Sequence, residues 1–238
     1  MSKSNPARAA VCPAVLIAGL ILALPASALA QTKGPVFSGQ VSALSDGIYR
    51  GVSQTEGLPQ FNAYAQIAFG KVYIATRYKS MRDRSTGVDN QTQAIIGYKT
   101  NWSGFDISAC ASYKRYNGVK PGIDKAFMEY ETVISRKIAA NTTARLTLAY
   151  SPDNYGTAKV ATFSEIGLEQ KLTPKLNLQA ATGFRHNEHS VDYTNYLVGA
   201  TYALNKTLSM AVTFTTTDKA KLGDKYGDST FLTLTQKF

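Results

Sequence analysis

Apolar and polar residues alternate with a period of two along most of the chain. The clearest case is the segment 207–215, in which Leu208, Met210, Val212 and Phe214 share one face. Successive side chains of a β-strand point to opposite faces of the sheet. The alternation therefore predicts strands that each have one apolar and one polar face.

About twelve segments carry this pattern, and their succession predicts an all-β fold. The predicted strands span residues 36–45, 61–69, 72–79, 91–99, 105–114, 127–137, 143–150, 161–171, 176–184, 193–203, 207–215 and 230–238. Short connections lie at 70–71, 100–104, 138–142, 172–175 and 204–206, whereas long polar ones lie at 46–60, 80–90, 115–126, 151–160, 185–192 and 216–229. Short turns at one end and long loops at the other are typical of transmembrane up-and-down antiparallel β-barrels.

The first thirty residues have a different pattern. Two basic residues precede an apolar stretch at 11–24, and small residues stand at Ala28 and Ala30. This order predicts a secretory signal peptide at 1–30, cleaved after Ala30. A retained membrane anchor is the alternative. The remainder, 31–238, is then a single barrel domain.

Lipid, rather than a protein core, is the predicted environment of the apolar faces. Aromatic residues lie near the ends of these faces, as expected for girdles at the depth of the lipid headgroups: Phe61, Phe69, Tyr78, Tyr98, Phe105, Tyr113, Tyr150, Phe184 and Tyr202. The last predicted strand ends at Phe238, which resembles the assembly signal of bacterial outer-membrane proteins, although Gln236 departs from its usual pattern. We therefore expect an integral protein of the bacterial outer membrane, with lipids and the barrel-assembly machinery as partners.

Composition and charge exclude several other classes. The 238 residues carry a net charge of +10, are 44% hydrophobic and include two cysteines, too few for a disulfide framework. Only residues 1–30 contain a long apolar run, which excludes a bundle of membrane helices. The export signal and the absence of a clustered basic patch argue against nucleic-acid binding.

Charged residues on the polar faces are the candidates for the barrel lumen. They are Arg77, Lys99, Lys114, Glu129, Glu131, Arg145, Glu165 and Glu169. Their signs are complementary on neighbouring strands. They either form a charged constriction that sorts ions or neutralise one another as part of the wall.

The first long connection reads SDGIYRGVSQTEGLPQ at 45–60. This stretch resembles the opening motif of the TorF family, a group of proteobacterial chains regarded as porins. The candidate residues of the motif are Asp46, Tyr49, Arg50, Gly51, Ser53 and Gln54. The resemblance covers only this stretch; it implies an outer-membrane location and a pore, and it implies no substrate and no catalytic residue.

The sequence is compatible with two conformations of this connection. Gly47, Gly51 and Gly57 permit sharp turns, and the five donors of Arg50 are expected to bind loop carbonyls or the acids Asp46 and Glu56. The segment either folds into the barrel mouth and narrows it or forms an ordinary ordered hairpin with a buried arginine.

The function predicted from these features is a narrow porin-like channel for ions or small solutes. Basic residues toward the short-turn rim favour anions, although contact with anionic lipid headgroups would also explain them. A structural envelope barrel is an alternative. A lipid hydrolase at the rim is a weaker one, resting on the two histidines and the serine within 185–190. We predict no enzyme, no cofactor and no metal, and the sequence leaves the oligomeric state open.

Overall fold

The computed structural model describes residues 34–156 and 158–238. The predicted signal peptide, 1–30, lies outside the described residues. The strands are β1 Val36–Leu44, β2 Ile48–Tyr49, β3 Val52–Ser53, β4 Gln60–Phe69, β5 Val72–Asp83, β6 Val88–Trp102, β7 Phe105–Asn117, β8 Ala126–Ala139, β9 Thr142–Asn154, β10 Lys159–Lys171, β11 Leu176–Asn187, β12 Tyr193–Ala203, β13 Leu208–Thr217 and β14 Ser229–Lys237. Two short 3-10 helices, Ala220–Leu222 and Asp224–Tyr226, lie between the last two strands.

Twelve of these strands form one closed antiparallel barrel. From β4 to β14 each strand pairs with its neighbour in sequence, and β1 closes the barrel by pairing with both β4 and β14. The two remaining strands, β2 and β3, form a separate hairpin. The predicted twelve-stranded up-and-down barrel is therefore confirmed. Within the described part of the chain, no helix has the length and apolar character needed to cross a membrane.

The outer surface of the barrel is apolar and the inner surface is polar. On β13, Met210 and Val212 are 43% and 44% exposed, whereas Thr213 and Thr215 on the alternate positions are 4% and 0% exposed. In a water-soluble barrel the apolar residues would be the buried ones. The apolar side chains therefore face outward, as they do in barrels that stand in lipid.

Several strands extend further into the long-loop end than the sequence predicts. The predicted loop 80–90 shrinks to 84–87, because β5 continues to Asp83 and β6 begins at Val88. The predicted loops 115–126 and 151–160 are likewise reduced to 118–125 and 155–158. Backbone pairing continues beyond the apolar outer band, and in these extensions the apolar residues Val88 and Tyr116 are buried on the inner face instead.

The carboxyl-terminal residue lies at the seam that closes the barrel. Gly39 on β1 donates its backbone N–H to the carbonyl oxygen of Phe238 at 2.9 Å and accepts one from Phe238 at 3.0 Å. A Cβ atom at Gly39 would lie 2.5 Å from the Phe238 ring. The ring therefore packs against the backbone of β1 at a position where only glycine leaves room for it.

Candidate functional site

The first loop, residues 45–59, folds into the barrel instead of extending away from its rim. Its hairpin pairs Ile48 with Ser53 and Tyr49 with Val52, and the turn between them has positive φ at Arg50 (52°) and Gly51 (81°). A Cβ atom on Gly51 would lie 2.4 Å from Cβ of Asn195 on β12. Asn195 is on the inner face of the wall, so the tip of the hairpin touches the barrel interior.

The side chain of Arg50 binds two carboxylates on the inner face of β8. Its Nη1 lies 2.9 Å from Oε2 of Glu129, and its Nη2 donates to Oε1 of Glu129 and to Oε2 of Glu131, both at 3.1 Å. Charge-assisted, two-pronged hydrogen bonds of this kind fix the geometry of a guanidinium. The expectation that Arg50 binds Asp46 or Glu56 is wrong, because its acid partners lie across the lumen.

Tyr49 and Lys114 complete the environment of Glu129. The hydroxyl of Tyr49 donates to Oε1 of Glu129 at 3.1 Å, and Nζ of Lys114 donates to the same carboxylate and to the Tyr49 hydroxyl. Burial raises the pKa of Tyr49 above its usual value of 10.0, so the phenol stays protonated and remains a donor. The buried carboxylate is thus satisfied by two cations and one phenol.

The charge of Arg50 is retained inside the barrel. Burial alone would lower its pKa, but the carboxylates of Glu129 and Glu131 raise the pKa above its usual value. The guanidinium also lies 4.6 Å from the ring centroids of Tyr49 and Phe163. An arginine that is packed between aromatic rings and two acids has little freedom to leave the site.

The base of the first loop is fixed by Asp46. Its carboxylate accepts hydrogen bonds from Ser53 Oγ at 2.7 Å, Thr55 Oγ1 at 2.9 Å and Ser229 Oγ at 3.0 Å. Ser229 belongs to β14, so this network joins the loop to the barrel wall. On the other side, Lys79 of β5 donates to Oε1 of Gln54 at 2.8 Å. All six motif residues therefore either hold the loop together or connect it to the wall.

Strand register places all eight lumen candidates on the inner face. Glu165 pairs with Thr147, Glu169 with Thr143 and Arg145 with Ser135, positions that alternate with the exposed apolar residues. Ion pairs join Arg145 to Glu165 at 3.2 Å and to Glu169 at 3.8 Å. The acids of this side of the lumen thus have basic partners.

Two neighbouring inner cations, on β5 and β6, have no such partner. Among the described residues, Arg77 on β5 and Lys99 on β6 have no carboxylate within 4.0 Å. We call these two residues the cationic wall. Sequence reasoning missed Lys79, which follows Arg77 by two positions and so shares its face, but its side chain is buried and bound to Gln54.

Neutral groups surround the cationic wall. Arg77 lies 5.2 Å from the ring centroid of Tyr64, and Lys99 lies 4.5 Å from that of Tyr73. Lys99 also donates to Oε1 of Gln66 at 3.1 Å. Aromatic rings and amides stabilise a cation without neutralising its charge. The β5–β6 side of the lumen therefore keeps a positive potential.

The residues proposed for hydrolysis do not converge. Nδ1 of His186 lies 2.9 Å from Asp192 Oδ2, and the register places His186 on the outer face of β11. Ser190 instead lines a cavity inside the barrel mouth. Within residues 34–156 and 158–238, no group of three or more His, Cys, Asp or Glu side chains is placed to hold a metal ion.

A closed barrel with an apolar exterior, a polar interior and a loop folded into its lumen is the architecture of porin-type outer-membrane proteins. A family model described as "Bacterial protein of unknown function (Gcw_chp)" matches residues 29–237. The chain belongs to this family. A comparison with curated protein sequences finds no match.

Solved porins share the fold at very low sequence identity. A structure described as "KdgM porin" aligns with a TM-score of 0.58 and 8% identity, covering 84% of this chain and 98% of that one. "KdgM porin in complex with disordered oligogalacturonate" aligns with a TM-score of 0.56 and 8% identity, covering 86% of this chain and 98% of that one. The NanC porin aligns with a TM-score of 0.52 and 5% identity, covering 85% of this chain and 98% of that one. These likenesses show a common barrel fold.

Proposed function

We propose that the protein is a narrow outer-membrane channel for ions and small solutes, and that the first loop sets its aperture. The observation that carries this proposal is the contact of Arg50 with Glu129 and Glu131, which holds the hairpin across the lumen. Eight-stranded barrels are filled by their side chains, and barrels of sixteen to eighteen strands leave a wide channel. A twelve-stranded barrel with an inserted loop lies between these cases.

Anions are the preferred solutes in this proposal. The cationic wall faces the lumen without neutralising acids, and a cleft lined by one sign of charge raises the local concentration of the opposite ion. The similar fold of a porin solved with oligogalacturonate, which is an anionic oligosaccharide, is consistent with this preference.

Location and assembly form part of the same proposal. The signal peptide at 1–30 delivers the chain across the inner membrane, and the apolar outer face then contacts outer-membrane lipids. Phe238 is the residue that we expect the barrel-assembly machinery to recognise. The resemblance of residues 45–60 to the TorF opening motif supports the same location.

Planar-bilayer recording on the refolded mature chain, 31–238, tests the proposal. We expect discrete openings of small conductance, with a reversal potential in a salt gradient that shows anion preference. A matched variant replaces 48–53 with a short glycine linker, which removes the hairpin but keeps the barrel. If both proteins fold and neither conducts, the channel proposal is wrong and the structural-barrel alternative takes its place.

A further inference from the structure

A cavity of about 180 Å³ lies in the barrel mouth between two loops. The hairpin of the first loop lines one part of it, and Lys225 and Tyr226 of the last long loop line another. We call this cavity the outer chamber. Cavities for drug-sized ligands measure roughly 300–1,000 Å³, so the outer chamber suits a compound with a single ring.

Tyrosine rings make up much of the chamber lining. Tyr116 and Tyr155 meet edge to face with ring centroids 4.3 Å apart, and Tyr193 and Tyr226 do so at 5.6 Å. Tyrosine offers an apolar ring together with a hydroxyl that forms hydrogen bonds. Such a lining matches a ligand that has both C–H faces and hydroxyl groups, as a sugar does.

Arg185 supplies a charge that no carboxylate of the described residues neutralises. Among the described residues no carboxylate lies within 4.0 Å of it, whereas Lys225 is paired with Asp83 at 3.4 Å and Arg50 with Glu129 at 2.9 Å. All of these side chains line the chamber. Arg185 is therefore the basic group that remains available to an anionic ligand.

The guanidinium of Arg185 is also held in position. Its Nε donates to Oδ1 of Asn187 at 3.0 Å, and the Asn187 amide donates to the backbone carbonyl oxygen of Val191 at 2.7 Å. Asn187 is buried. With Nε occupied, the two terminal nitrogens form the fork that binds a carboxylate. Tyr193 is the register partner of Arg185 on the next strand, so an aromatic ring lies beside this fork.

We propose that the outer chamber binds an acidic monosaccharide, with its carboxylate on Arg185 and its ring against Tyr193 and Tyr226. This inference rests on the proposed channel function in one respect, because the channel function places the binding site on the path into the lumen. It adds a substrate class and a specificity-determining residue, because a neutral sugar of the same shape would leave the Arg185 charge unpaired.

NMR titration of the refolded full barrel in detergent with galacturonate, and separately with galactose, tests the site. We expect galacturonate to bind more tightly than galactose, which has the same ring without the carboxylate. Replacing Arg185→Gln should weaken galacturonate binding about tenfold or more and leave galactose unchanged. Arg185→Lys, which keeps the charge but loses the fork, should give an intermediate loss.

Arg115→Gln provides the matched control. Arg115 lies near the same end of the barrel but on the outer face, opposite Thr92 and Ala126, so its removal should leave both affinities unchanged. Equal binding of the two sugars, no binding of galacturonate, or unchanged binding by the Arg185 variants would overturn the inference. A barrel that conducts without binding galacturonate contradicts this inference alone. One that binds it and never conducts contradicts the proposed function alone.

Discussion

Arg50 and Glu129 are separated by 79 positions in the chain, and their charged groups meet inside the barrel at 2.9 Å with side-chain exposures of 6% and 4%. The contact joins the tip of a loop to the inner wall of β8. Buried charges are costly unless they are paired and hydrogen-bonded. The pair therefore favours the conformation in which the first loop crosses the lumen.

Glu129→Gln should destabilise the barrel strongly. The substitution removes the shared carboxylate of two buried cations, Arg50 and Lys114, and breaking a buried ion pair in this way costs about 3–5 kcal/mol. Urea unfolding in lipid vesicles measures the loss. The control is Glu56→Gln at the rim, where exposed pairs with Arg82 and Arg84 are worth about 1 kcal/mol or less. Equal losses for the two variants would contradict the assigned role of Glu129.

Gly51→Ala should displace the hairpin tip. Gly51 has φ of 81°, which costs a residue with Cβ about 1–2 kcal/mol, and its Cβ would in addition lie 2.4 Å from Asn195. Gly57→Ala is the matched control, because Gly57 has φ of 75° and nothing within 4 Å of its Cβ position. We expect the free energy of unfolding to fall more for Gly51→Ala. Identical values would show that the tip does not touch β12.

The sequence predicts the inner face of the barrel well, because a strand has a fixed period of two. Once the strand at 143–150 is assigned, Arg145 must share a face with Thr147, and the same argument places Glu165 and Glu169. The rule acts residue by residue and needs no knowledge of distant parts of the chain. Fold class and strand number follow from the same local signal.

The partners of the first loop could not be predicted in the same way. Nothing near Arg50 in the sequence identifies Glu129 and Glu131 as its partners, because that contact exists only after the barrel closes. The local acid Glu56 is a more obvious candidate, and it pairs with the rim arginines Arg82 and Arg84 instead. The sequence overestimates loop lengths for a related reason, since in the strand extensions the apolar residues Val88 and Tyr116 face inward and the outward apolar pattern that marks the other strands ends.

Neutralising the cationic wall should reduce anion preference. In the double variant Arg77→Gln and Lys99→Gln, the ratio of anion to cation permeability should fall toward one or below. The difference from the unmodified channel should be largest near 0.1 M salt, where the Debye length is about 10 Å, and smaller at 1 M, where it is about 3 Å. Reversal potentials in salt gradients measure the ratio.

A control of equal charge separates the lumen from the surface in this experiment. Lys206 and Lys221 are exposed on a turn and a loop, and replacing both with glutamine changes the net charge by the same amount. Selectivity should be retained in this control. A similar drop in both double variants would mean that the overall charge of the barrel, and not the cationic wall, determines the preference.

Gly39→Val should impair closure of the barrel. The new side chain would meet the ring of Phe238, which lies 2.5 Å from the Cβ position, whereas Gly34 has nothing within 4 Å. Overpacking of this kind costs about 1–3 kcal/mol. Refolding into lipid is measured from the mobility shift of the folded barrel on gels when the sample is not heated. It should be slower or less complete for Gly39→Val than for Gly34→Val. Similar rates would argue against a role for this contact at the seam.

Single-channel conductance of Arg50→Met tests the central claim most directly. Methionine keeps much of the length of the side chain but removes the charge that binds Glu129 and Glu131, so the account predicts a larger mean conductance with frequent transitions between levels. Arg84→Met, at an exposed rim position that is 73% accessible, should conduct like the unmodified protein. If Arg50→Met folds and gives the same conductance as the unmodified protein and Arg84→Met, the first loop does not set the aperture of the channel.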